Sequence, residues 1–89
     1  MNTKAKHTSG PWAVSADGLI YGVQYETPIA RLAAHSLMAG SIIERGANAH
    51  VITAAPEMLE VLEWALPYVE RIRDAERIKN VIAKAKGEA

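Results

Sequence analysis

Few side chains in this chain could do chemistry, and their spacing decides what they could do. Three histidines, His7, His35 and His50, lie far apart. Imidazoles that share a metal on one helix stand three to five residues apart, and no pair here does. With no cysteine in the chain, neither a thiolate zinc site nor a disulfide framework is available. The four serines lie outside any Gly-x-Ser-x-Gly turn, the setting that exposes a nucleophile beside a base. Neither a P-loop nor a Gly-x-Gly-x-x-Gly phosphate cradle occurs. Glu57, Glu60 and Glu63 recur at helical spacing, and such a charge run is ordinarily a solvated face. The expectation is therefore no enzyme, no cofactor and no metal.

Binding is the chemistry that remains. Arg73, Arg77 and Lys84 fall within about 40° of one another on a helix of 100° per residue, with Asn80 beside them. They are partner-binding candidates aimed at acidic protein or phosphate. Asp74 and Glu76 stand close by and no aromatics interleave, which argues against direct nucleic-acid binding. Tyr21 and Tyr25 form a second candidate patch, although packing under a helix is the favoured expectation for both. The same holds for Trp12 and Trp64, because aromatics contribute large buried areas to small domains.

The elements that position these residues follow from periodicity. Gly10-Pro11 marks an entry turn, and Trp12 to Ser15 suits a first strand. Asp17-Gly18 signals a type I′ hairpin, since both residues tolerate positive φ. Leu19 to Tyr25 alternates, with Leu19, Tyr21, Val23 and Tyr25 on one face. Glu26-Thr27-Pro28 suits a turn, and Ile29 to Ala33 a third strand. Three short strands need a helix on their apolar face. Residues 35–43 suit a connector that packs down, with room for one helical turn.

A short helix is expected from Asn48 to Ala54. Proline is tolerated at the first position of a helix, where its missing N–H has no partner anyway. Ala54-Ala55-Pro56-Glu57 is therefore expected to join two helices, the second beginning at Pro56. Pro67 should kink that helix. Nothing from Tyr68 to Lys86 breaks it, and Gly87 is a natural stop.

The bulk numbers fit one small domain. The chain has 89 residues, 49% of them hydrophobic, with ten basic and ten acidic residues. At this size roughly 60–65% of the unfolded surface is buried, so the core is marginal unless helix packing or self-association reinforces it. Zero net charge argues against a nucleic-acid coat or an anionic-membrane binder. The charge is nonetheless segregated, with four acids against one base in residues 44–66 and six bases against four acids in residues 70–89. The first eleven residues are polar and no apolar run approaches the roughly 20 residues that span a bilayer, so a cytoplasmic protein is expected.

Two segments carry a family resemblance. His7-Thr8-Ser9-Gly10-Pro11-Trp12 is close to a His-Thr-Pro-Gly-Pro-Trp opening. Asn48-Ala49-His50-Val51-Ile52-Thr53-Ala54-Ala55-Pro56-Glu57-Met58-Leu59 is close to Asn-Ala-Arg-Leu-Ile-Ala-Ala-Ala-Pro-Glu-Leu-Leu. In this order the chain resembles a family of small phage and prophage accessory proteins, departing at Ser9, His50 and Thr53. The resemblance implies a phage origin. Such accessory proteins often bind a host factor stoichiometrically, including CRISPR–Cas and nucleotide-signalling defence components.

These readings lead to one set of expectations. The fold is α+β: a short three-stranded antiparallel β-meander, a short helix, then a long proline-kinked C-terminal helix. Residues 1–9 form a disordered arm and residues 10–89 a single domain. The function is non-catalytic inhibition of a host protein or defence complex. The alternatives are a sponge for a nucleotide signal, using Tyr21, Tyr25 and Arg73, and a structural or regulatory phage protein. On one straight helix from Pro56 to Lys86, Ile78, Ile82 and Ala85 fall nearly opposite the stripe of Met58, Leu62 and Val69. One core cannot bury both stripes. A homodimer is therefore expected through Ile78, Val81, Ile82 and Ala85, unless the chain folds back as a hairpin.

Overall fold

Hydrophobic alternation and turn chemistry at the start of the chain produce a three-stranded antiparallel sheet in the order β1-β2-β3. The computed structural model describes residues 6–32 and 39–88. Its strands are β1 (Trp12–Val14), β2 (Leu19–Gly22) and β3 (Thr27–Arg31), followed by helices α1 (Ala39–Ala65) and α2 (Ile72–Ala85). The expected class, α+β with a meander ahead of the helices, is what the chain adopts. Two compact units divide it, one of them Thr8–Pro56 and the other built on Glu57–Ala89.

In the first unit β1 pairs with β2 through Trp12↔Gly22, Ala13↔Tyr21 and Val14↔Ile20. The hairpin forms at the expected place but with a different turn. Ser15 N–H donates to the Leu19 carbonyl at 2.9 Å and Gly18 N–H to the Ser15 carbonyl at 3.0 Å. Three residues thus close the loop, and Gly18, at φ 89°, has positive φ where Asp17 does not. This is a turn ending in a left-handed glycine, not the two-residue type I′ turn. A side chain at Gly18 would also approach the Leu32 carbonyl oxygen at 3.2 Å.

The second strand is shorter than its alternation suggests. It ends at Gly22, and Val23 to Glu26 form a turn in which Glu26 has φ 52°. Tyr25 therefore lies in that turn, not on a strand, and is 80% exposed. The buried face is Ile20 with Gly22, while Leu19 and Tyr21 are half-buried. Thr27 and Pro28, assigned to a turn by their residue types, open β3. Pairing shifts between Ile20↔Ala30 and Tyr21↔Pro28, so Ile29 is the extra residue of a bulge. Pro28 is tolerated there because β3 is an edge strand. Thr8, within the expected arm, accepts a hydrogen bond from Trp12 Nε1 at its carbonyl, 2.9 Å away.

The helices break at a different proline from the one expected. α1 runs without interruption through Pro56, so Ala54-Ala55-Pro56-Glu57 is not a junction, and the short helix expected from Asn48 to Ala54 is part of α1. It begins at Ala39, inside what the residue types suggested was a connector; residues 35–38 of that connector, and Ala33 of the expected third strand, lie outside the described residues. The break falls at Pro67, where a 3-10 turn, Leu66–Tyr68, follows α1. Val69 (ψ 115°) and Arg71 (ψ 124°) are extended before α2 begins. A proline lacks the N–H to continue the ladder, here toward the Glu63 carbonyl, so two helices replace one kinked helix.

Gly87 stops α2 as expected. It has φ 74°, Gly87 N–H donates to the Lys84 carbonyl at 3.1 Å, and Glu88 N–H to the Ala83 carbonyl at 2.8 Å. This is the paired-bond glycine cap that satisfies the last carbonyls of a helix.

Candidate functional site

The break at Pro67 removes the geometry from which two opposed stripes on a single helix were inferred. α2 has its own axis and turns Ile82 inward, so that among the described residues of the second unit Leu59 and Ile82 are the buried apolar side chains. Ile82 is therefore buried by its own chain. Ile78 is half-buried, and Val81 and Ala85 are exposed. Lys86 Nζ, beyond the end of α2, reaches Glu63 Oε2 of α1 at 2.6 Å.

Leu62 of α1 and Asp74, Arg77, Ile78 and Val81 of α2 line an open groove of about 290 Å³. Its floor is apolar and its α2 edge carries one acid and one base. Asp74 sits in the first turn of α2, where the helix dipole favours a carboxylate. Arg73, Arg77, Asn80 and Lys84 are all exposed on α2. At 100° per residue they form one ridge beside Val81.

Periodicity did not mark a second feature of the same unit. Trp64 and Tyr68 are 69% and 71% exposed, where core packing was expected for the tryptophan. Their ring centroids are 5.5 Å apart at an interplanar angle of 44°. The four-residue step that brings them together is visible in the sequence, but it reads equally as a core contact. Only the 3-10 turn after Ala65 shows that Tyr68 leaves the apolar face.

Tyr21 and Tyr25 belong to the first unit and Arg73 to the second. Tyr25 is bonded at its hydroxyl to Gln24 Nε2 (3.3 Å), within its own turn. A smaller cavity of about 180 Å³ in the first unit is lined by Val14, Leu32, Arg45, Ala49 and His50 among others. Asp17, at the hairpin tip, is held down to about 2 by the Ser15 hydroxyl and then by Arg31. Among the described residues no three His, Asp or Glu side chains stand close enough to hold a metal ion. Among them, too, no helix is long and apolar enough to cross a membrane.

The family described as Salmonella phage P22 protein Y8K6 matches residues 1–89. The chain belongs to that family. No curated protein and no solved structure matches it. Membership in the Y8K6 family agrees with the phage origin implied by the Gly10-Pro11-Trp12 opening and the Ala54-Ala55-Pro56-Glu57 segment.

Proposed function

We propose that this Y8K6-family protein acts without catalysis, by occupying a host protein, and that its targets are CRISPR–Cas or other antiphage defence components. The observation that carries the reading is the exposed Trp64–Tyr68 pair. Tryptophan and tyrosine are over-represented among the few side chains that dominate protein–protein affinity, since each contributes a large rigid area for little lost freedom. Two of them in contact on a small protein's surface are a ready anchor for a partner's pocket. The phage origin supplies the context, because a phage protein meets host proteins at infection.

The test is capture from infected host cells with tagged protein, run beside a Trp64→Ala, Tyr68→Ala variant, together with plaque counts on hosts carrying individual defence systems. The expected result is a host defence protein retained by the wild type, lost with the variant, and phage rescue in the matching host. Capture unaffected by the double substitution, or no rescue in any defended host, overturns the reading.

A further inference from the structure

The face of α1 that carries Trp64 holds acids and no base. Between residues 51 and 70 the chain has four glutamates and no lysine, arginine or histidine. One of them, Glu63, is taken by Lys86. At 100° per residue Glu57 lies about 20° from Trp64 round the helix, and Glu60 about 40° from it on the other side. This face is turned away from buried Leu59, and Glu57, Glu60 and Trp64 are all exposed. Glu60 stands four residues before Trp64, a spacing at which helical side chains are neighbours. Among the described residues neither Glu57 nor Glu60 is paired with a base, and no lysine or arginine lies on the Trp64 or Tyr68 ring. The two carboxylates, three residues apart, repel each other. The two rings are tilted at 44°, so neither fully covers a face of the other.

We propose that the Trp64–Tyr68 surface takes an arginine side chain of its protein partner, with the guanidinium on an aromatic face and Glu57 and Glu60 as its counter-charges. The inference rests on the reading of this pair as the host-binding anchor and adds the chemistry of what is bound. The face of an indole attracts a cation more strongly than that of any other side chain. Arginine fits better than lysine, since its guanidinium is flat, weakly hydrated and able to pair with a carboxylate while stacked. An acidic partner would meet the two glutamates as like charges. A purely apolar partner would take both carboxylates out of water unpaired, which is costly. A basic side chain between them relieves their repulsion and leaves neither charge unmatched.

Nuclear magnetic resonance separates the two tryptophans by their indole N–H signals, which Trp64→Phe assigns. The probe is the blocked peptide acetyl-Gly-Arg-Gly-Arg-Gly-amide, run beside the same peptide with neutral citrulline in place of both arginines. The arginine peptide should move the Trp64 signal and not that of Trp12, which belongs to the other unit. The citrulline peptide should move neither. Glu57→Gln with Glu60→Gln, both at exposed positions, should weaken arginine-peptide binding about fivefold in dilute buffer, with an unchanged circular-dichroism spectrum. That difference should vanish in molar salt. A Trp64 signal unmoved at millimolar peptide, equal movement with citrulline, or binding indifferent to the two glutamates overturns the proposal. Host-protein capture keeps the two readings apart. Capture lost with Trp64→Ala, Tyr68→Ala but no response to the arginine peptide removes the arginine and leaves the anchor. A peptide response with capture untouched by that variant removes the anchor and leaves the arginine site.

Discussion

Lys86 Nζ and Glu63 Oε2 stand 2.6 Å apart and tie the C-terminal end of α2 to the last turns of α1. The hydrogen bond from the ammonium to Glu63, and then the Glu63 charge, raise Lys86 above the ordinary lysine value. A group raised on folding favours the folded state wherever it is protonated in both states. The contribution is therefore complete at neutral pH and is lost as pH rises through the raised value. Both side chains are about 40% exposed, 39% and 41%, so the pair is screened by salt. Lys86→Met should lower the unfolding temperature slightly in dilute buffer and not at all in molar salt. An equal loss in both buffers would show that packing of the lysine stem, not charge, joins the helices.

The hairpin tip titrates at the other end of the scale. Asp17 accepts a hydrogen bond from Ser15 Oγ and pairs with Arg31 Nη1 at 2.9 Å, and its carboxyl falls from 3.8 to about 2. A depressed carboxyl stabilises the folded state above its unfolded value, and the contribution disappears as pH falls from about 4 to about 2. Carboxyl carbon shifts followed by NMR should place the Asp17 midpoint well below the ordinary aspartate value of 3.8. Ser15→Ala should raise it more than Arg31→Gln does, because the hydroxyl is the larger cause. The reverse order would assign the shift to the arginine.

Gly22 is tightly covered in the first unit. A Cβ built on it lies 2.7 Å from Thr8 Cγ2, too close for any real pair of carbons. Gly22→Ala should therefore cost about 1–3 kcal/mol through overpacking. Thr8→Ser removes that methyl and keeps the hydroxyl, so in the Thr8→Ser background most of the cost should vanish. Denaturant midpoints of the four proteins give the coupling directly. Additive effects would mean that Thr8 does not lie over Gly22.

The residues behind these predictions differ in how far the sequence announces them. Gly18 and Gly87 signal their turns because positive φ is a local demand that few residues meet. The three-strand order is equally local. The buried face of β2 is not, since alternation through Tyr25 favours the wrong side once the strand stops at Gly22. The two prolines show the same limit. Pro56 and Pro67 both look able to interrupt a helix, and which of them does depends on packing around each ring. The basic ridge of Arg73, Arg77, Asn80 and Lys84 follows from helix phase alone, because α2 is regular. The groove beside it and the exposed Trp64–Tyr68 pair depend on the direction of the chain after Ala65, which residue spacing does not specify.

Pro56 gives the last prediction, because its two possible roles call for opposite outcomes. At the first position of a helix proline is favourable, and replacing it with alanine brings no gain. Inside a helix it costs about 3 kcal/mol relative to alanine, having no N–H to give the carbonyl four residues earlier, here Ile52. Pro56 is inside α1 and is buried. Its ring has two methylenes more than alanine, and losing their burial offsets about 1.6 kcal/mol of that cost. Pro56→Ala should therefore stabilise the protein by about 1 kcal/mol, seen as a higher denaturant midpoint with an unchanged slope. Hydrogen exchange supplies a second readout, since the new amide at position 56 should be protected like its neighbours in α1. A destabilised variant with a fast-exchanging amide there would restore the two-helix junction and remove the continuous α1.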